Sequence, residues 1–422
     1  MILDRDNWHE VYVVLSRNPL RTFLTAFGVF WGIFMLIVML GSGKGLQNGV
    51  QADFGSYATN SMFIWAQGTS MPYKGLPANR YFELNNRDVE VLFDRIPEIQ
   101  TIAPRTQLGG YGENTDISRN NIKGSFSVMG DVPELMEINP KKIKEGRFLN
   151  HFDVLEKRKV AVIGRRVKDV LFDLDEDALG QSISINGVYF TVIGVFDVFN
   201  EATSDEDEIE TIFIPISTFQ QAFNRGENIG WMSIMTKADA HIADIEDKVK
   251  SVLADQHSVH PDDKRAFGSW NMEKQFLKMQ NLFTGINFLI WIVGIGTLLA
   301  GVIGISNIML IVVKERTKEI GVRKALGAYP WSIISQIVLE AITLTSIAGY
   351  LGLIAGVATL EGVNRLLVKF EVKSEMFQNP EVDFKVAITA TGIIIIAGAI
   401  AGLIPAQKAA RINPVIALKT EG

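Results

Sequence analysis

Four long apolar runs decide what this chain can become. They cover Thr22–Leu40 (a span taken to 42) and residues 286–313, 332–360 and 386–404. About 20 consecutive apolar residues are needed to cross roughly 30 Å of hydrocarbon as a helix. Each run meets that length, so four transmembrane helices are expected. The first starts too late and is too long for a cleaved signal peptide. It reads as an uncleaved anchor. Between the first and second runs lies a long polar region, residues 43–280, that no span interrupts. The mean hydropathy of +0.17 is high for a soluble chain because of this uneven layout.

The stretch Ile303–Gly327 changes character part-way. Ile303–Val313 is apolar, and Lys314, Glu315, Arg316, Lys318, Glu319, Arg323 and Lys324 follow. Glu319 precedes Arg323 by four residues, an order that supports a helix. Gly327 is a natural helix stop, and Pro330 suits the first turn of the next helix. A span therefore leaves the membrane, turns through a short basic helix, and re-enters. A helix so placed can transmit force if something on its side of the membrane pushes it. The plainer reading is a cationic loop that only sets topology.

The order of residues favours the first reading. Ser306-Asn307-Ile308-Met309-Leu310, Glu315-Arg316-Thr317, Glu319-Ile320-Gly321-Val322-Arg323 and Ala325-Leu326-Gly327-Ala328 resemble the cytoplasmic loop of MacB-type ABC transporter permeases. That group includes FtsX and the lipoprotein-releasing permeases. Asn18–Thr25 resembles the family's entry into its first span. Gly146-Arg147-Phe148, Val160–Gly164, Leu171-Phe172 and Val192–Val195 resemble its external core domain. Residues 402–418 resemble its C-terminus.

The polar region mixes strand and helix patterns. Ser61–Trp65 reads as a strand, Asp88–Arg95 as a helix ending before Pro97, and 160–164 as a buried strand leading into a helix. Residues 182–195 alternate around Asn186-Gly187, a strong hairpin signal. Trp270–Gln280 reads as a helix leading to the second span. Trp8, Val11, Tyr12 and Leu15 share one helix face, so residues 1–21 are expected as a cytoplasmic helix lying in the interface. Gly28 and Gly32, and Gly398 and Gly402, form GxxxG pairs that let helices approach closely. Gly349, Gly352 and Gly356 mark the third run. Glu340 sits in apolar sequence; a structural hydrogen bond near the cytoplasmic end is preferred to a transport role.

Several chemistries drop out. Gly41-Ser42-Gly43-Lys44-Gly45 fails the P-loop pattern, because Val38 and Gly45 stand where a glycine and a hydroxyl residue belong. With no Walker A pattern, no ATP hydrolysis by this chain is expected. The 422 residues contain no cysteine, hence no disulfide and no thiolate metal site. Glu201–Glu210 lacks EF-hand spacing and reads as a solvated acidic loop. His241, His257 and His260 lack zinc spacing and read as surface residues. A net charge of −6 offers no nucleic-acid surface.

The fold class expected is an α+β membrane protein. Four transmembrane helices would carry a two-lobed extracytoplasmic α/β domain inserted between helices 1 and 2. By resemblance, a porter lobe takes about 43–107 and 229–280, an inserted β-rich lobe about 108–228, and an FtsX-like permease domain 281–422. Lys and Arg near the first span, in 314–330 and at Lys408 and Arg411 place both termini in the cytoplasm and the large domain in the periplasm.

The resemblance implies a bacterial inner-membrane permease that relays ATP hydrolysis to its external domain. Only about 21 residues precede the first span, so the ATPase, with its ATP and Mg, is expected on a separate chain. This chain itself would bind no cofactor. Glu315, Arg316, Glu319, Ile320, Gly321, Arg323, Lys324, Ala325 and Gly327 are the expected ATPase-coupling residues, with Ile320 inserted as anchor in an ATPase cleft. A second permease chain, identical or paralogous, membrane lipid, a periplasmic adaptor and an outer-membrane channel are the further partners. Efflux of small molecules or peptides is preferred. Lipoprotein release and regulation of a cell-wall hydrolase stay open as alternatives.

Overall fold

The computed structural model describes residues 19–53, 57–108, 115–173, 176–198, 206–370, 377–382 and 384–413. The expected interfacial helix, with Trp8, Val11, Tyr12 and Leu15, lies outside them, as do Asp205 and Pro414–Leu418. Helices of nine or more residues are α1 (Pro19–Asp53), α2 (Asn86–Arg95), α3 (Ile242–Gln256), α4 (Met272–Glu315), α5 (Thr317–Ala325), α6 (Pro330–Lys369) and α7 (Phe384–Ala410). The chain divides into two compact units, Met1–Val50 with Leu282–Gly422, and Gln51–Asn281.

The second unit is built on strands. They are β1 (Ser61–Ala66), β2 (Leu84–Asn85), β3 (Ile99–Leu108), β4 (Ile117–Arg119), β5 (Ile122–Gly124), β6 (Ser127–Asp131) and β7 (Lys142–Gly146). Then follow β8 (Val160–Gly164), β9 (Ser182–Ile185), β10 (Val188–Asp197), β11 (Thr211–Pro215), β12 (Asn228–Ile229), β13 (Trp231–Thr236) and β14 (Phe267–Asn271). The main sheet runs β14-β1-β13-β3-β6-β11-β8-β10-β9-β4-β5, with β7 also on β10. β3 joins its two halves. Ile99–Arg105 pairs with β13, and Thr106–Leu108 pairs with β6. Buried Arg105 and Asp131 tie β3 to β6 through bonds of 2.9, 2.9 and 3.1 Å.

Local chemistry explains the turns. Asn85 accepts from Arg87 N–H and Asp88 accepts from Asn85 N–H, so a capping box starts α2. Asn186 and Gly187 both take positive φ, 47° and 84°, as the two-residue hairpin between β9 and β10 requires. On β1, Met62 and Ile64 are buried together with Leu92 of α2 and Ile245 and Val249 of α3. The other lobe has its own core around Val167, Phe190, Ile212 and Phe219.

Among the described residues, four helices, α1, α4, α6 and α7, are long and apolar enough to cross a membrane. α1 does not stop at residue 42 but runs to Asp53, so Gly41–Gly45 is helical and no phosphate loop. Of the expected helix Trp270–Gln280, Trp270 and Asn271 belong to β14, and the rest is one element with the second run: α4 has 44 residues, about 66 Å at about 1.5 Å each. Half of that length exceeds what hydrocarbon needs. The glycines lie where helices meet. A Cβ on Gly28 would touch Gly301 Cα at 3.4 Å, bringing α1 against α4. One on Gly32 would sit 3.4 Å from Leu298. On α7, a Cβ at Gly398 would fall 2.9 Å from Ile342 Cα, and one at Gly402 3.0 Å from Val338 Cα, both on α6. Close backbone approach supplies packing where lipid gives no hydrophobic drive.

Candidate functional site

The site is α5 and what holds it. α4 ends at Glu315 and α5 begins at Thr317, but the backbone bonds continue across the join: Arg316 N–H reaches Val312 O and Ile320 N–H reaches Arg316 O, each at 3.0 Å. At the far end Gly327 has φ +95°. Its N–H bonds Lys324 O at 3.1 Å, and Ala328 N–H bonds Arg323 O at 3.0 Å. That pair of bonds is a Schellman stop. Pro330 then opens α6.

Arg316 is the hub. Its Nη1 donates to Glu340 Oε1 of α6 at 3.0 Å, while Nε and Nη2 donate to Glu319 at 3.2 and 3.1 Å. Glu319 also receives Arg323 Nη2 at 3.0 Å, and Arg323 Nη1 donates to Gln336 of α6 at 3.0 Å. Lys324 Nζ donates to Ala410 O and Ile412 O at 2.8 and 2.7 Å, at the C-terminal end of α7. A cation satisfying terminal carbonyls is favourable there. α5 is thus fastened to two other helices by named polar bonds.

Ile320 corrects an expectation. It is 7% exposed and belongs to the apolar core that holds Val313, Ile333 and Ile337. Its side chain faces the protein rather than outward, and Gly321 is buried beside it. Glu315, Lys318, Val322, Ala325, Leu326 and Gly327 are exposed instead. Leu326 is 84% exposed, Tyr329 81% and Trp331 75%. The outward surface of the loop is therefore an apolar cluster with charges around it.

The profile of the MacB-like periplasmic core domain matches residues 22–252, more than half of the chain, and that of the FtsX-like permease C-terminal domain matches 291–414. The chain belongs to the MacB/FtsX-type ABC transporter permeases. It is 29% identical over 414 residues to the macrolide export ATP-binding/permease protein MacB of Wolinella succinogenes, covering 96% of this chain and 59% of that one. It is 28% identical over 408 residues to the pyoverdine export ATP-binding/permease protein PvdT of Pseudomonas savastanoi pv. phaseolicola, covering 97% and 58%. The permease thus spans about three-fifths of the length of these relatives. The periplasmic region of MacB from Actinobacillus actinomycetemcomitans is 21% identical with a TM-score of 0.42, covering 54% of this chain and 95% of that one. Membership makes this chain a permease of the ABC transporter type, with a MacB-like core domain and an FtsX-like permease domain.

The start of α4, in the second unit, is also fastened. Glu246 of α3 accepts from Lys274 Nζ of α4 at 2.7 Å, Lys250 Nζ at 2.8 Å, Ser269 Oγ at 2.7 Å and Asn271 Nδ2 at 3.1 Å. Burial alone would raise its pKa. The bonds from Lys250, Lys274, Ser269 and Asn271 win, and its carboxyl is held well below the usual range. Glu273 binds His241 Nδ1 at 2.6 Å and so raises that imidazole's pKa. This knot is not legible in residue order, because its members come from three elements, α3, β14 and α4, with His241 just before α3.

Two further expectations change. His257 is not a surface residue: its Nε2 lies 2.8 Å from Asp88 Oδ2 and its ring 5.0 Å from that of Phe82. Glu208, in the acidic stretch, is not simply solvated but binds Lys141 and Asn139. Among the described residues, no three His, Asp or Glu side chains are grouped as a metal site.

Proposed function

We propose that this permease converts the motion of a cytoplasmic ATPase into motion of its external unit, and that α4 carries the movement. The observation behind this reading is the pair of polar knots at the two ends of one helix, Arg316–Glu340 beside its last residue and Glu246–Lys274 in its first turn. Lys314, Lys318, Arg323 and Lys324 make the α4–α6 connection strongly cationic, which favours the cytoplasmic side and puts both termini there and residues 51–281 outside. No Walker A pattern occurs in these 422 residues, so ATP and Mg are proposed to be bound by an ATPase outside this sequence, with two permease copies each engaging one.

Export is the preferred role. The relatives named above are exporters of macrolides and pyoverdine by name, and this chain is proposed to move a small molecule outside the membrane, with motion rather than substrate crossing the bilayer. The ATPase is proposed to grip Val322, Leu326 and Tyr329, leaving Glu315, Arg316, Glu319, Arg323, Lys324 and Ala325 to hold and frame that face. Leu326→Asp tests it directly. The variant should insert normally, yet lose ATPase co-purification and permease-stimulated hydrolysis. Normal stimulation would show that α5 is not the contact.

A further inference from the structure

A cavity of about 540 Å³ opens on the external unit, lined by Phe63, Trp65, Ala66, Gly230, Trp231 and Trp270. Strand register assembles it. Phe63 pairs with Trp270 on β14, and Trp65 with Trp231 on β13. Directly paired residues project from the same face, as do residues two apart on a strand. Four aromatic side chains therefore converge on the face of β1 opposite Met62 and Ile64. The Trp65 indole fills the space a side chain at Gly268 would need. Ser233, which pairs with Phe63, is wholly buried, and its hydroxyl has no hydrogen-bond partner among the described residues. A buried hydroxyl left without a partner is uncommon and marks a place to be explained.

We infer that this cavity binds an uncharged aromatic small molecule. Its volume lies within the roughly 300–1,000 Å³ of small-molecule pockets. Among the described residues, no ionised side chain lines it. Arg105, 5.5 Å from the Trp231 ring, is neutralised by its two-pronged bond to Asp131, so a charged ligand would find no counter-ion. Aromatic faces reward a flat apolar guest through offset or edge contacts. The site is separate from α5 and does not depend on transport.

Benzophenone is a suitable probe, applied to the full chain in lipid nanodiscs without ATPase. On illumination its carbonyl oxygen takes a hydrogen atom from a nearby C–H bond, the carbonyl carbon and that carbon join, and the ketone becomes a tertiary alcohol. Saturable adducts should appear on peptides holding Phe63–Ala66 or Trp231. Trp270 is 50% exposed, so changing it spares the core. Trp270→Glu should lower those adducts about tenfold or more, and Trp270→Phe should keep them. Adducts confined to α1, α4, α6 and α7, labelling that rises without saturation, or labelling indifferent to Trp270→Glu would overturn the site. So would disulfide dimers through Trp270→Cys in place of labelling, which would make the face a contact between copies. Because no ATPase is present, failure leaves the coupling proposal standing.

Discussion

Arg316 and Glu340 meet at 3.0 Å across the turn from α4 to α6, with the Glu340 side chain 3% and that of Arg316 17% exposed. A pair so enclosed is costly to break, because the survivor is left as a buried charge; such losses run to about 3–5 kcal/mol. Its value to the permease is geometric. It fixes the start of α5 against α6.

Glu340→Ala is therefore expected to lower the unfolding temperature of the solubilised permease and to reduce stimulated ATP hydrolysis even where ATPase binding survives. Glu340→Gln, which keeps shape and one acceptor, should cost less, about 1–2 kcal/mol. Thermal unfolding and coupled hydrolysis measured side by side check this. Unchanged values in both would mean that the pair is ornamental.

Ile320 and Leu326 should fail in different ways. Ile320→Asp puts a charge into the core and should cut membrane yield. Leu326→Asp should be produced at wild-type levels and weaken ATPase affinity by the worth of one buried leucine, about 1.5–3 kcal/mol, or roughly tenfold to a hundredfold. Equal yields for the two, with only Ile320→Asp losing affinity, would restore Ile320 as the anchor.

The knot at Glu246 predicts a pH dependence. Its folded-state pKa lies below the ordinary 4.5, so the stabilisation is complete above that value and declines as pH falls beneath it. Wild type should exceed Glu246→Gln in stability at neutral pH, and the gap should narrow toward about pH 3. Unfolding curves across that range read it. A gap that is constant with pH would assign the effect to packing alone.

Orientation is open to single-cysteine labelling, clean because the chain has no native cysteine. Asn186→Cys should react with an impermeant maleimide on intact spheroplasts, and Lys318→Cys only after lysis. The reverse pattern would invert the proposed topology.

Much of this was readable from residues. Apolar length announced the four long helices, Asn186-Gly187 its hairpin, and Gly327 and Pro330 the limits of α5. What escaped depends on distant partners. α1 continues through Gly41–Asp53, and α4 begins at Met272, because polar residues extend a helix beyond lipid without any change of period. Ile320 on the nine-residue α5 and Leu326 just after it are both apolar, and sequence could not say which faced inward until α6 supplied Ile333 and Ile337. The Arg316–Glu340 bond spans a turn of 24 positions. The four rings at Phe63, Trp65, Trp231 and Trp270 meet only through strand register, which is set by long-range pairing.

The central claim is that ATP moves the external unit through α4. Its most direct test is the distance between spin labels on Asp239→Cys in two copies of the permease, assembled with the ATPase in nanodiscs, before and after trapping with ATP and vanadate. A shifted distance distribution on trapping, abolished by a flexible Gly-Ser insertion in α4 after Lys278 that leaves hydrolysis intact, is the expected result. An unshifted distribution in the uninterrupted permease, with the ATPase fully trapped, would contradict it.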